Sequence, residues 1–351
     1  TSYLKNILIV NNHAGNLGGG IHVQNDRQLQ LENVTVVNNS ATYGAGGMLV
    51  WNGIAVSVVN SFIGNNNPPQ IQFDDFNNSG YSSTISFSYS SVTDTIVYPN
   101  NGTINWVSSN IDVDPMFVDT ANGNYNLLAS SQLINAGHPD STDSDGTRAD
   151  IGAYPYLNSY SGPTWYITEG GNDTTATGAS DDPFRSIQSG INFSSDTDSV
   201  TVAAGTYVEN INFRGRNIKV AGADRETTII DGSQVQSCVY FSGGANNPLL
   251  KNFTLQNGNG QYTGPNARGG GGGVYVFGTS PKIENLIIKN NSTPYQGGGI
   301  AIFDSGENYQ HIPIHISNVK FLNNSANSGG GLSTIAGDRE VFINNCIFNG
   351  N

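Results

Sequence analysis

Charge, sulfur and long apolar runs are scarce in this sequence. Charged residues make up 12% of its 351 residues, about half the usual share for a soluble domain. No apolar run reaches the roughly 18 residues of a membrane-spanning helix, and no charged-then-apolar leader follows Thr1, so the sequence predicts neither a span nor a signal peptide. Only two cysteines occur. Cys346 occupies an otherwise aliphatic position of a repeated pattern, which predicts a small core residue rather than a redox or disulfide residue.

The charge that is present is mostly negative. The chain has 14 basic and 27 acidic residues, a net charge of −13 and a pI near 4.5. An acidic surface argues against nucleic acid or anionic lipid as a partner, and it is compatible with divalent cations.

Asparagine, by contrast, is abundant and recurs at fixed intervals. Seven asparagines, here called row 1, share one local pattern, with an aliphatic residue two positions before and an apolar residue three positions after. Their spacings within two stretches of chain are 27, 27, 33, 33 and 27 residues, and a fixed period of this length is typical of stacked repeats. Row 1 consists of Asn6, Asn33, Asn60, Asn252, Asn285, Asn318 and Asn345.

A second set of asparagines, row 2, stands five positions after row 1, and runs of glycine follow it. The apolar positions around both rows alternate, which is the period of a strand and not of a helix. Asparagine tolerates left-handed bends and can hydrogen-bond along a stack, and glycine runs permit tight corners. A phosphate cradle is the alternative role of the glycines, but no Lys-Ser/Thr follows them. Row 2 consists of Asn11, Asn38, Asn65, Asn257, Asn290 and Asn323.

The repeats therefore predict an all-β fold, a parallel β-helix in which each repeat pairs with its neighbours and shares a core with them. The pattern occupies residues 1 to about 98, is interrupted, and returns from residue 249. In the second stretch, Pro183 precedes a short amphipathic segment with Phe184, Ile187 and Ile191 on one face, which predicts a helix near 183–192.

Two segments resemble a known superfamily. Residues 183–232, beginning PFRSIQSGINF and containing VTVAAGTYVENI, are similar to the opening of right-handed parallel β-helix domains of the pectin-lyase-like superfamily, where a short helix covers the first repeat. Residues 113–154, VDPMFVDTANGNYNLLASSQLINAGHPDSTDSDGTRADIGAY, resemble the closing segment of secreted bacterial β-helix proteins often labelled choice-of-anchor Q. The resemblance implies fold and secretion, with an extracellular or cell-surface location in a bacterium or archaeon, and it implies no particular activity.

The two segments stand in an unexpected order, because a closing segment precedes an opening one. We expect 1–156 to be the rear half of a β-helix with an end segment at 113–156, 157–164 to be a linker, and 165–351 to be a front half with its capping helix. About ten repeats at ~4.8 Å each would separate the two capped ends by roughly 48 Å, and a bridge of about ten residues spans at most about 35 Å. Closure within one chain is therefore disfavoured. Uncapped repeats expose apolar surface and strand edges, so either the sequence is a window from a longer tandem array or the open ends bind partners. For the second case we expect 163–351 of one copy to stack head to tail on 1–156 of the next.

One acidic segment is compatible with a metal site. Asp140, Asp143, Asp145 and Asp150 surround Gly146 at short spacings, as oxygen ligands do in loops that bind hard cations. The segment lacks the complete twelve-residue calcium loop with its final Glu. Calcium is accordingly the only cofactor that the sequence suggests, and none is required; the alternative is a solvated acidic turn that pairs with Arg148.

No complete catalytic constellation is evident. The candidates were Asp74 with Asp75, the pair Asp181 and Asp182, which is better explained by the dipole of the following helix, and a polar group formed by Asp304, Glu307, His311 and His315. We therefore expect a secreted structural or adhesive protein without enzymatic activity. A polysaccharide-binding or polysaccharide-degrading protein is the alternative, since lyases and hydrolases of this superfamily need defined charged groups. Sugars could stack on the aromatic residues Tyr43, Trp51, Tyr275 and Tyr295, unless these pack on loops.

Overall fold

Parallel strands dominate the fold of this chain. A computed structural model describes residues 1–24, 28–51, 53–67, 69–74, 80–93, 97–99, 102–263, 268–304, 312–335, 337 and 339–351. In this part of the chain the helices are a seven-residue α-helix, Ile187–Phe193, and a 3-10 turn, Thr120–Asn122. The prediction of an all-β protein is thus confirmed. Contacts divide the chain into two units, Thr1–Ser159 and Tyr160–Asn351, and the predicted linker at 157–164 spans the boundary between them.

Unit 1 contains two principal parallel sheets. Its long sheet consists of Ser2–Val10, Gln28–Val37, Ala55–Val59, Phe62–Gly64, Ser83–Ser88, Ser91–Val92 and Gly102–Ser108. Its short sheet consists of Ile21–Val23, Met48–Trp51, Ile71–Asp74 and Val97–Pro99. Two small pairs complete the unit, the parallel pair His13–Ala14 with Ser40–Ala41 and the antiparallel pair Phe117–Asp119 with Asn124–Leu127.

Unit 2 contains three principal parallel sheets, and successive strands of the chain enter successive sheets. The first consists of Thr164–Ile167, Ser199–Val202, Lys219–Gly222, Leu249–Lys251, Lys282–Glu284, Ile314–Ser317 and Val341–Asn344. The second consists of Gly205–Val208, Thr228–Asp231, Thr254–Gln256, Ile287–Lys289, Lys320–Leu322 and Ile347–Asn349. The third consists of Ile211–Asn212, Val239–Phe241, Val274–Phe277, Ile300–Phe303 and Leu332–Ile335, and a fourth, smaller sheet contains Gln261–Thr263, Arg268–Gly270, Ser292–Gln296 and Ser325–Ser328.

Strand register follows the repeat seen in the sequence. The residue two positions before each row-1 asparagine pairs with its equivalent in the next repeat, for example Leu4 with Leu31 and Ile283 with Ile316. These side chains point inward because alternate residues of a strand face the same side. Leu31 and Ile283 are fully or almost fully buried, so each repeat supplies one layer of a continuous core.

The glycine runs lie where the chains of adjacent repeats approach most closely. A β-carbon on Gly272 would lie 2.4 Å from the carbonyl oxygen of Gly298, and one on Gly298 would lie 2.6 Å from that of Gly330. Gly271 and Gly297 have φ of 67° and 65°, which disfavours any residue with a side chain. Glycine is therefore required at these corners by space and by backbone conformation.

The helix of unit 2 begins later than predicted and is capped by other acids. Pro183 and Phe184 precede it in extended chain, and Phe184 bridges Ile167. Asp182 accepts hydrogen bonds from Thr177 within its own turn, so the assignment of Asp181 and Asp182 to the helix dipole was wrong. Instead the partly buried Glu209 accepts the N–H groups of Ile187 at 2.8 Å and Gln188 at 3.1 Å. Sequence spacing could not reveal this, because Glu209 follows the helix along the chain.

The helix covers the first repeat of unit 2. All seven of its residues are buried, and it packs on strands Thr164–Ile167 and Ser199–Val202. The side chain of Arg216 donates to the carbonyls of Asn192 at 2.7 Å and Ser194 at 2.6 Å, which fixes the other end of the helix. No helix in the described residues is both long and apolar enough to cross a bilayer.

The segment 113–156 of unit 1 lies along the side of the stacked repeats. The N–H of Ala153 donates to Thr35 Oγ1 at 2.9 Å, and the N–H of His138 donates to Asn60 Oδ1 at 2.6 Å. The ring of Phe117 meets that of Phe62 edge to face, with centroids 5.7 Å apart. The sequence predicted that this segment closes the end of the stack. In the structure it instead covers the outward face of the long sheet, where Thr35 and Phe62 are buried beneath it.

Candidate functional site

Both predicted rows of asparagine occupy left-handed bends. In row 1, φ runs from 48° at Asn60 to 63° at Asn252, and in row 2 all six asparagines lie between 52° and 56°. Asparagine adopts this conformation at less cost than other side-chain-bearing residues, because its short amide can bond locally. In three neighbouring pairs of row 1 the amide of the later repeat donates to that of the repeat before it, for example at 3.1 Å from Asn33 to Asn6 and 2.7 Å from Asn318 to Asn285. Asn60 Nδ2 and Asn33 Oδ1 make no such bond. A short strand is thus bounded by one bend on each side.

A third row of asparagines, which the sequence reading missed, lies inside the repeats. It consists of Asn12, Asn39 and Asn66 in unit 1 and of Asn291, Asn324 and Asn351 in unit 2. Each member directly follows row 2, so the recurring Asn-Asn dipeptide at 11–12, 38–39, 65–66, 290–291 and 323–324 was the available signal. The interior members Asn39, Asn66, Asn291 and Asn324 are at most 4% exposed.

Row 3 bonds run in one direction. The N–H and the Nδ2 of Asn39 both donate to Asn66 Oδ1, at 2.9 and 3.0 Å. The same two groups of Asn324 donate to Asn351 Oδ1, at 3.0 and 2.8 Å. The amide nitrogen also reaches a carbonyl of the preceding repeat, as from Asn39 to Ile9 at 2.9 Å. Each buried amide thereby uses both its donors and its acceptor. In row 3 the asparagine of an earlier repeat donates to the asparagine of the repeat that follows.

Each unit closes row 3 at one end. In unit 1 the buried Gln70 follows Asn66 and takes both of its donors at Oε1, at 3.0 and 2.9 Å. In unit 2 the row starts at Asn291, whose Oδ1 accepts the N–H of Gly258 at 2.8 Å. A β-carbon on Gly258 would lie 1.9 Å from the carbonyl oxygen of Gly272, so no side chain can extend the row there.

The other end of each row is open to solvent. Asn12 is exposed, and its Oδ1 accepts no hydrogen bond from the described residues. Asn351 is exposed as well, and its backbone N–H has no acceptor in the described part of the chain. Unit 1 therefore presents an acceptor and unit 2 presents a donor.

Apolar core positions are exposed beside these open ends. Ile343 and Phe348 are 41% and 49% exposed, whereas their equivalents one repeat earlier, Ile316 and Phe321, are fully buried. Ile347, which occupies an outward position and pairs with Lys320 of the repeat before, is 55% exposed. The rings of Phe321 and Phe348 stack with centroids 4.3 Å apart and planes 3° from parallel. One face of Phe348 is thus packed and the other is open. At the first strand of unit 1, Leu4 and Ile9 are likewise only partly buried against the core.

The four aspartates of the predicted calcium segment act mainly on the backbone. The fully buried Asp150 accepts the N–H groups of Asn135 and Tyr156, both at 2.7 Å, and Asp143 accepts the N–H of Asp150 at 2.8 Å. Asp145 accepts the N–H of Asn158 at 2.8 Å, while the side chain of Asp140 is 91% exposed. No group of three or more His, Cys, Asp or Glu in the described residues is arranged to hold a metal. Calcium at this segment stays a prediction.

Burial dominates the electrostatics of this turn. Removal from water raises the pKa of Asp150 to about 8 and that of Asp143 to about 6. Arg148, the predicted partner of these acids, instead donates Nε to the Gly137 carbonyl at 2.7 Å and lies over the ring of Tyr89. The acids and the arginine therefore tie separate parts of the segment together.

Only some of the remaining catalytic candidates lie in the described part of the chain. Asp75, Glu307 and His311 lie outside the described residues. His315 stacks on the ring of Phe342, with centroids 5.3 Å apart. Cys238 is fully buried, and burial raises the pKa of its thiol to about 12, which disfavours a reactive thiolate.

Two of the four predicted sugar-stacking aromatics are covered, whereas Tyr295 is partly buried and Tyr43 is 67% exposed. Trp51 is 8% exposed, and Tyr275 is fully buried, with the rings of Tyr240 and Phe303 5.4 and 5.5 Å away. Trp106, in contrast, is 51% exposed and stacks on Phe87 at 5.0 Å. It lines a cavity of about 330 Å³ together with Val92, Ser108, Ser109, Asn110, Ile111 and Asp112.

No family model, curated protein or solved structure matches this chain. Its function must be argued from these ends and surfaces.

Proposed function

We propose that this chain is a secreted structural or adhesive protein, built from two stretches of right-handed parallel β-helix of the pectin-lyase-like type, that associates head to tail. In the joint, unit 2 of one copy stacks on unit 1 of the next. The observation that carries the proposal is the exposure of the core positions Ile343 and Phe348, whose open faces lie toward the next repeat position.

Both ends of the joint have the same repeat. The last register step of unit 2, from Ile316 to Ile343, is 27 residues, and so is the first step of unit 1, from Leu4 to Leu31. Placing Leu4 over Ile343 puts Ile9 over Phe348, because both pairs keep the same separation along their chains. Apolar residue then meets apolar residue at both core positions.

Burial would favour this contact. Covering a Phe or Ile side chain completely contributes about 1.5–3 kcal/mol, so the two half-exposed core side chains contribute roughly 2 kcal/mol together. Association costs at least about 4 kcal/mol in lost freedom of motion, and the backbone hydrogen bonds of the paired strand edges contribute in addition. The expected association is consequently moderate and depends on protein concentration.

Sedimentation and electron microscopy of the chain Thr1–Asn351 test the proposal. We expect average mass to rise with concentration and filaments whose axial repeat corresponds to one chain. Phe348→Asp places a charge in the joint and is expected to abolish assembly. Val208→Asp alters an apolar residue that is 67% exposed on the first repeat of unit 2, and it should assemble normally. A wild-type chain that stays monomeric at every concentration would overturn the proposal.

A mixing experiment tests the direction of assembly. Leu4→Asp blocks the front face of unit 1, and Phe348→Asp blocks the rear face of unit 2. Each variant alone should remain monomeric, but a mixture should form dimers and stop there, since every dimer joins the two intact faces. Longer oligomers in the mixture would contradict the assignment of the joint to these faces.

A second candidate function, polysaccharide binding, is supported by the cavity beside Trp106. An exposed indole next to hydroxyl, amide and carboxylate groups suits a sugar ring, which offers C–H groups to the aromatic face and hydroxyls to the polar groups. Titration with soluble acidic and neutral polysaccharides, followed by calorimetry, tests it. Trp106→Ala should abolish binding, Tyr43→Ala should leave it unchanged, and an equal response of both variants would count against the site.

A further inference from the structure

We infer that row 3 of asparagines continues across the joint, with Asn351 of one copy donating to Asn12 Oδ1 of the next, and that this bond sets the polarity and register of assembly. The inference rests on the proposed head-to-tail association. It assigns Asn12 and Asn351, the solvent-exposed ends of row 3, a hydrogen-bond partner in a second copy of this chain.

The direction of row 3 permits one pairing only. Inside each unit the earlier repeat donates from N–H and Nδ2, and the later repeat accepts at Oδ1. Asn351 has a backbone donor to offer, and its Nδ2, already bonded to the Phe321 carbonyl at 3.0 Å, occupies the position from which Asn39 Nδ2 serves two acceptors. Asn12 offers the acceptor. When unit 2 of one copy precedes unit 1 of the next in the stack, the contact between Asn351 and Asn12 therefore repeats the row 3 bond found inside each unit.

No other pairing of ends forms the row 3 bond. Two copies joined at their Asn351 ends would oppose donor to donor, and two joined at Asn12 would oppose acceptor to acceptor. Row 3 does not reach the rear of unit 1 or the front of unit 2, because it ends inside each unit. Gln70 takes the donors of Asn66, and strands Ser83–Ser88 and Gly102–Ser108 lie beyond it in unit 1. Gly258 fills the acceptor of Asn291, and strands Gly205–Val208 and Thr228–Asp231 precede it in unit 2. Gln70 and Gly258 thus terminate the row and restrict it to one kind of joint.

Row 1 gives an independent check of the register. Three of the five neighbouring pairs of row 1 are hydrogen-bonded in the described residues, and in each the later repeat donates to the earlier, as from Asn285 to Asn252 at 2.9 Å. Asn6 Nδ2 has no acceptor, and Asn345 Oδ1 no donor, in the described residues, so Asn6 of the second copy is placed to donate to Asn345. The separation from Asn6 to Asn12 equals that from Asn345 to Asn351, and one register consequently satisfies both rows although their bonds run in opposite directions.

A double-mutant cycle on the full chain tests the inference. Asn12→Leu removes the Oδ1 acceptor of the joint and leaves the donors of Asn351 without a partner, so it should weaken association about tenfold or more. Asn351→Leu removes the Nδ2 donor but keeps the backbone N–H, so it should weaken association by less. The double variant should associate more tightly than the product of the two single effects predicts, because leucine then meets leucine. Asn105→Leu, an exposed asparagine of strand Gly102–Ser108, is the matched control and should match the wild type.

The outcomes separate this inference from the proposed function. If the wild-type chain does not associate, the head-to-tail proposal fails, and this inference fails with it. If the wild type associates and the single variants associate equally well, or if their effects simply multiply, the asparagine contact is refuted while head-to-tail stacking stands. Circular dichroism confirms that each variant is folded, and Asn351→Asp, which keeps the acceptor for Asn324 but opposes a carboxylate to Asn12, should also weaken assembly.

Discussion

At the scale of single residues, one amino acid performs two different tasks in adjacent positions. Row 2 asparagines bend the backbone, and row 3 asparagines fill a buried position with hydrogen bonds. In the last repeat Gly350 replaces the row 2 asparagine at φ 68° while Asn351 keeps row 3. The bend thus needs only a residue that tolerates a left-handed backbone, whereas the buried row needs the amide itself.

This distinction gives a prediction for row 1. Asn285→Ala should lower the free energy of unfolding by about 2–3 kcal/mol, because alanine at φ 54° is strained by about 1–2 kcal/mol and two amide contacts of about 1 kcal/mol or less each are lost. Asn285→Gly should cost less, since glycine removes the strain and loses only the contacts. Urea denaturation measures both, and equal losses would show that the bend contributes nothing.

The sequence predicted rows 1 and 2 because their periods are fixed and their neighbours alternate. Row 3 escaped prediction for a physical reason. In an Asn-Asn dipeptide the sequence does not show which side chain points inward. The left-handed bend at the first asparagine decides this, and it turns the second asparagine inward. The recurring Asn-Asn dipeptide was the available signal, but the repeat period alone does not distinguish the roles of its two asparagines.

At the scale of elements, the single described α-helix depends on a distant acid. Glu209 lies on the chain after the strand Gly205–Val208, yet it binds the first N–H groups of Ile187–Phe193. Burial raises its pKa to about 7, against an ordinary value of 4.5. Asp181 and Asp182 were predicted to stabilise the N-terminus of the helix, because sequence spacing identifies only residues adjacent to the helix.

Glu209 should make stability depend on pH. Since its pKa is raised in the folded state, the folded protein binds more protons than the unfolded chain between pH 4.5 and about 7, and stability should fall as pH rises through that window. Asp150 and Asp143, with pKa values of about 8 and 6, act in the same direction. Thermal unfolding at pH 5 and pH 8 measures the slope.

Glu209→Gln should remove part of that slope, because glutamine does not titrate. Glu284→Gln, at a strand end in unit 2, is the matched control and should keep the wild-type slope. An unchanged slope in Glu209→Gln would show that this carboxyl does not titrate in the window.

At the scale of the whole molecule, the division into two units followed from the break in the repeat pattern at residues 113–156. Which surface that segment covers could not be predicted, since a resemblance gives order along the chain and not a face. A hint was present in Phe62, an apolar residue at an outward position, which the segment buries. Exposure of Ile343 and Phe348, in contrast, agrees with the expectation that an uncapped repeat exposes apolar surface.

Net charge predicts how assembly responds to salt. Copies that each carry −13 repel one another, and the joint proposed here is apolar and amide-based. Raising the salt concentration from about 10 to 150 mM shortens the screening length from about 30 to 8 Å, so association should strengthen several-fold and then level off. Sedimentation at one protein concentration measures this. Weaker association at higher salt would indicate ion pairs in the joint instead.

The register steps of 27 and 33 residues also determine how the molecule would yield to force. Hydrogen bonds between adjacent repeats run along the stacking direction, so tension in that direction loads one layer of bonds at a time. Each layer that parts would release a whole repeat, and a freed repeat of 27 or 33 residues extends by roughly 90 or 115 Å at ~3.4 Å per residue. A fibre of such units would lengthen in discrete steps and dissipate energy at each, behaving as a tether that absorbs load before it breaks.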